Sequence, residues 1–141
     1  MSEENVEMVR HGFEAYNAFM RGEGSIAAVA ETLDPQIEWH WHDQRTYPDA
    51  PQHLRGVPAS IGFWEQWRGA WADVVAEPLE VIEAPDGRVL AFIRQTGRGR
   101  QSGVPIVIHY FQVWTIRDGK TRKFEFFRHR TGALEAAGLS A

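Results

Sequence analysis

In the stretch IEWHWHD, Ile37 to Asp43, two histidines alternate with two tryptophans between flanking carboxylates. On an extended strand, residues two apart share a side, so Glu38, His40 and His42 face one way and Ile37, Trp39 and Trp41 the other. Paired imidazoles can offer two nitrogen ligands to a metal or one half of an acid/base pair. A metal would need ligands from neighbouring strands, of which His109 and Glu38 are conceivable. A glutamate following the pair closely, which would complete such a set, does not come until Glu65. No metal and no cofactor is therefore expected.

Two further places hold groups that could move a proton. In KFEFFRHR, Glu125 and His129 fall on one face of a strand, with Phe127 between them. They are a base and its orienting partner if that face meets a cavity; otherwise Glu125 pairs across strands with Arg94 or Arg122. In the polar, proline-bearing loop QRTYPDAPQHLRG, Asp49 and His53 could close over a pocket as a lid and supply an acid or base. Arg98 and Arg100 of RGRQSG either hold an anionic group or keep a hairpin tip soluble.

The elements that must position these groups follow from periodicity. Val6, Val9, Phe13, Tyr16 and Met20 lie at helical spacing behind Glu3, Glu4 and Glu7, which suit a helix N-terminus. Ser25 can cap a short second helix that Asp34 and Pro35 stop, and the IEWHWHD strand follows. VPASIGFWEQWRGAWADV reads as a third helix with two aromatic stripes, weakened by Gly62 and Gly69. PLEVIEA, RVLAFIRQTG, VPIVIHYFQVWTI and TRKFEFFRHR read as strands. RDGK is a strong hairpin turn between the last two. Thr131 can cap a final short helix that Gly138 ends. Helices first and antiparallel strands later predict an α+β fold in which a curved sheet wraps the long helix as a cone.

The 141 residues suit one domain, 1–141, without an internal repeat. The net charge of −4 and scattered basic residues argue against nucleic acid. The absence of cysteine excludes disulfides and thiolate chemistry. No segment approaches the roughly 18 apolar residues of a membrane span, and the acidic start is unlike a signal peptide, so a cytoplasmic protein is expected. Six tryptophans and eight phenylalanines are many for this length. Such an interior either packs solid or lines a cavity for an apolar ligand.

The stretches ENVEMVRHGFEAYNAFMRGE, LDPQIEW, LRGVPASIGFWEQW, VWTIRDGK and GKTRKFEFFRHRTGALEAAGL run nearly end to end. In content and order they resemble the SnoaL-like branch of the NTF2-like superfamily, which includes ketosteroid isomerase and polyketide cyclases. The resemblance implies the cone fold and a pocket in it, and it turns Trp39 toward that pocket. Transferred by position, the isomerase base falls on Trp39, and its oxyanion-hole donors fall near Gly12 to Ala15 and at Gln112. The cyclase base falls near Phe126, beside Glu125, and neither an indole nor a phenyl ring can take a proton. Tyr16 is a turn from the first donor position, and Gln112 can still donate to a carbonyl oxygen. The resemblance thus implies Tyr110 and Gln112 as polar contacts to a ligand oxygen, joined by Tyr16 if the helix is rotated, with Trp39, Trp41, Trp64 and Phe126 as apolar wall; alternatively these aromatics fill the core, with Tyr110 bonded to a backbone group. Glu125, His129, Asp49 and His53 are the candidate acid/base groups. Two functions stay open: a cofactor-independent isomerase, cyclase, dehydratase or hydrolase of a small apolar oxygen-bearing molecule, or a non-catalytic binding or dimerisation domain. The VPIVIHYFQVWTI strand is apolar on both faces, so both are covered, one of them by a second subunit in the homodimer common in this superfamily.

Overall fold

The computed structural model describes residues 2–42 and 53–139. The chain runs α1 (Ser2–Met20), α2 (Ile26–Ala30), β1 (Leu33–Trp41), β2 (His53–Arg55), α3 (Val57–Ala70), β3 (Trp71–Glu83), β4 (Val89–Gly99), β5 (Pro105–Arg117), β6 (Lys120–Phe127) and α4 (Arg130–Ala136). The six strands form one sheet in the order β2-β1-β6-β5-β4-β3. β1 and β6 pair in parallel, and the other neighbours are antiparallel.

Local chemistry explains the boundaries. Gly22 takes φ 81° just after α1, and the next amide, that of Glu23, returns to Ala18 O, closing the helix. Ser25 caps α2, its Oγ accepting from the Ala28 amide at 3.1 Å. Asp118 and Gly119, with φ 52° and 74°, form the two-residue turn anticipated in RDGK, where Arg117 pairs with Lys120. Gly138 at φ 74° follows α4, as expected.

Three boundaries differ from the sequence reading. The third helix ends at Ala70, because from Ala72 the pattern becomes alternately buried and exposed through Ala76, the signature of a strand. β2 lies inside what read as a continuous loop; three residues, His-Leu-Arg, are too few and too polar to show a period. α4 begins at Arg130, so His129, not Thr131, occupies its cap position, without a side-chain capping bond.

Register shifts in β3, between β1 and β6 and between β5 and β6 bend the sheet, with Asp73 at φ 55° inside the first of them. α1 and α3 pack on the inner, concave face, and the main core lies between. α4 packs on the outer face, where Leu90, Phe111, Val113, Ala133 and Leu134 make a second, smaller cluster. Asn17 ties α1 to β3: its Nδ2 donates to Ala76 O at 2.9 Å, and its Oδ1 accepts from the Ala76 amide at 2.8 Å. Tyr16 ties the same helix to β4 by donating to Gln95 Oε1 at 3.0 Å.

Candidate functional site

Strand register decides which groups face inward. Ala91, Gln112, Phe126 and Trp41 lie side by side across β4, β5, β6 and β1, and Val89, Trp114, Phe124 and Trp39 form the next row. Since neighbours on adjacent strands share a face, all eight side chains point to the concave side. Glu125, which pairs with His40 on β1 and Val113 on β5, belongs to the opposite face.

The concave side holds a small cavity of about 40 Å³. β-strands contribute Trp39, Tyr110, Gln112, Trp114, Phe124 and Phe126; α1 contributes Gly12, Phe13 and Tyr16; the α2 region adds Val29 and Thr32; α3 adds Phe63, Trp64 and Trp67. Trp39 is the hub of the wall. Its ring meets Trp64 at 5.1 Å and Phe124 at 5.0 Å edge-on, and its buried indole N–H donates to Ser60 Oγ at 2.7 Å. Ser60 Oγ donates onward to Gly56 O, so the tryptophan keeps its polar atom satisfied inside an apolar wall.

Gln112 is the site's most informative polar group. Trp114 Nε1 donates to Gln112 Oε1 at 3.2 Å. An indole N–H is only a donor, so this bond fixes which end of the amide is oxygen. Among the described residues the Nε2 donor has no hydrogen-bond partner, in a residue that lines the cavity and is 6% exposed. Tyr16 lines the cavity while its hydroxyl is engaged with Gln95.

Among the described residues, no carboxylate, imidazole, ammonium or guanidinium lines the cavity. Glu125 lies behind the sheet, where its Oε2 is 3.0 Å from His42 Nε2 and 3.9 Å from Lys123 Nζ. These are its partners instead of Arg94, which faces Glu77, and Arg122, which faces Glu38. His129 is exposed at the start of α4, and the helix, not the cone, continues from it. His53 is exposed on the edge strand β2, its ring 4.5 Å from that of His40. Asp49 lies outside the described residues. Trp41 faces inward but stands behind the wall, stacked on Phe126 at 4.8 Å with planes 8° apart. His109 is not near the His-x-His pair, since it sits across from Arg94 with its ring against Phe92.

On the outer face, Glu38 Oε1 is 3.0 Å from His40 Nε2, and Glu38 Oε2 is 3.4 Å from Arg122 Nη1. The hydrogen bond from His40 holds the Glu38 carboxyl below its ordinary range, helped by Arg122 and Arg55 and opposed by burial.

The sequence reading missed Phe13, Phe63, Trp67, Trp114 and Phe124 as lining. Trp114 was within reach, because it shares the alternation of Tyr110 and Gln112. Phe63 and Trp67 were visible as one aromatic stripe of α3, but a stripe does not say whether it faces packed core or open space.

A curved, open, mostly antiparallel sheet with helices across its concave side and an aromatic cavity between them is the NTF2-like architecture. The chain belongs to the SnoaL-like domain family, whose model matches residues 9–124. Bal32a, from a soil-derived mobile gene cassette, has the same fold, with a TM-score of 0.76 at 21% identity over 96% of each chain. A candidate SnoaL-like polyketide cyclase from Jannaschia sp. CCS1 superposes with a TM-score of 0.74 at 18% identity, covering 100% of this chain and 96% of that one. TerC, co-crystallised with polyporic acid, gives 0.71 at 20% identity over 96% and 98%. Among curated proteins, none matches this sequence closely enough to show relatedness.

Proposed function

We propose that this protein binds a small, flat, apolar molecule bearing an acceptor oxygen, and that Gln112 Nε2 donates to that oxygen. The carrying observation is the Trp114–Gln112 hydrogen bond, which commits the amide oxygen of a cavity-lining residue and leaves its Nε2 as the donor available to a ligand. In an aromatic, poorly hydrated site such a donor polarises an oxygen more strongly than in water. The aromatic rings that line the space favour a flat ligand that stacks on them.

Polarisation alone is half of the chemistry of an isomerase, cyclase, dehydratase or hydrolase; the other half is a base. The likeness to a candidate polyketide cyclase favours this second reading, and Asp49, outside the described residues, is the base that the sequence offers for it. The Asp49→Asn variant separates the two, since a binding protein keeps its affinity and an enzyme loses turnover.

Four tryptophans line the cavity, so ligand entry is readable by intrinsic fluorescence. Polyporic acid and simple aryl ketones are the first probes. Gln112→Leu is expected to weaken their binding about tenfold, the value of one hydrogen bond, and to leave binding of naphthalene unchanged. Equal losses for ketone and hydrocarbon, or none for either, would refute the role of Gln112.

The proposal includes a homodimer. Val75, Thr96 and Val107 form one row on the outer face of β3, β4 and β5, with Val107 58% exposed, and a second copy of this chain would cover them.

A further inference from the structure

The outer face carries a set of ligating side chains that the cavity does not use. β1 and β2 pair antiparallel with His40 opposite His53 and Glu38 opposite Arg55. Period-two geometry puts Glu38 and His40 on one face, and the register sets His53 beside them. One ligand atom from each of Glu38, His40 and His53 lies within 4.8 Å of the others.

We propose that Glu38, His40 and His53 form a binding site for a divalent transition metal of the zinc class. Two imidazole nitrogens and one carboxylate are the protein donors of a three-ligand zinc site, with a fourth position for water. Nitrogen donors select such ions over magnesium and calcium, which take oxygen. Donors at about 2.0–2.1 Å from a tetrahedral ion stand about 3.3 Å apart. The 3.0 Å between Glu38 Oε1 and His40 Nε2 is already close to this, and the His53 ring lies 4.5 Å from that of His40.

Two arginines oppose the ion, and their placement decides whether it can enter. Arg122 approaches Glu38 Oε2, the oxygen turned from His40, so it orients the carboxylate without occupying Oε1. Arg55 Nε is 3.4 Å from His53 Nε2, a long contact that a bound ion would displace. The ion would link the three-residue edge strand β2 to β1 through side chains as well as through the ladder.

The test is titration of the untagged, metal-stripped protein with Zn²⁺ by calorimetry and with Co²⁺ by visible absorption. One equivalent of each, with d–d bands for Co²⁺ and a raised melting temperature with Zn²⁺, is the expected result. His53→Gln and Glu38→Gln should each lose the bound equivalent and the thermal shift, while His109→Gln, on another strand, should retain both. Circular dichroism of His53→Gln checks that this surface change leaves the fold intact. No stoichiometric uptake by the wild type, or uptake that survives His53→Gln, overturns the site.

Discussion

At the scale of single residues, two positions act in different ways, Gly12 through space in the cavity and Glu38 through charge on the outer face. Gly12 lines the cavity because Trp114 comes against it; a Cβ there would lie 2.9 Å from Trp114 Cη2 and 3.2 Å from Cζ3. The indole is packed and cannot yield freely, so Gly12→Ala trades roughly 1 kcal/mol of helix propensity against roughly 1–3 kcal/mol of overpacking. A lower melting temperature and weaker probe binding are expected together; unchanged binding would place the ligand away from Trp114. Glu38 works through charge. Its folded carboxyl lies below its ordinary value, so it stabilises the native state above the ordinary carboxyl range, and the benefit disappears as pH falls through the lowered value. Without added metal, Glu38→Gln should melt below the wild type at neutral pH, and the gap should close as pH falls below the ordinary carboxyl range. Melting curves across pH decide this.

At the scale of elements, the cavity depends on how α1 is held over the sheet. The Asn17 amide meets both backbone groups of Ala76 beside the bulge of β3, where the ladder is interrupted. Asn17→Ala would orphan both groups and is expected to cost about 1–3 kcal/mol in denaturant unfolding. Because Tyr16 and Gly12 ride on the same helix, probe affinity should fall as well. A stability loss with unchanged affinity would mean that packing of Val9 and Phe13 alone sets the helix position.

At the scale of the molecule, the sheet serves two sides at once. Its concave face is closed by α1 and α3, and α4 covers part of its outer face, leaving Val75 and Val107 exposed. Val107→Glu is expected to convert a dimer to a monomer in light scattering after size exclusion, with little change in monomer fold, because the side chain already faces outward. A wild-type monomer would refute the dimer at once.

The amphipathic first helix, the Asp118–Gly119 turn and the α+β order were fixed by local chemistry, since helical spacing and left-handed turn residues act within a few positions. Alternation likewise grouped Tyr110, Gln112 and Trp114 on one face of β5. What alternation leaves open is which face is inside when both are apolar, and one residue of register exchanges Glu125 for Phe126. Only the pairing of Phe126 with Gln112 and Trp41 decided that Phe126 enters the cone and Glu125 meets His42 behind it. The same cross-strand register, invisible in a three-residue polar strand, brought His53 to His40. Sequence thus determined the longer elements and their periods, and tertiary pairing determined the faces and the short strand β2, because a face is a relation between strands far apart in the chain.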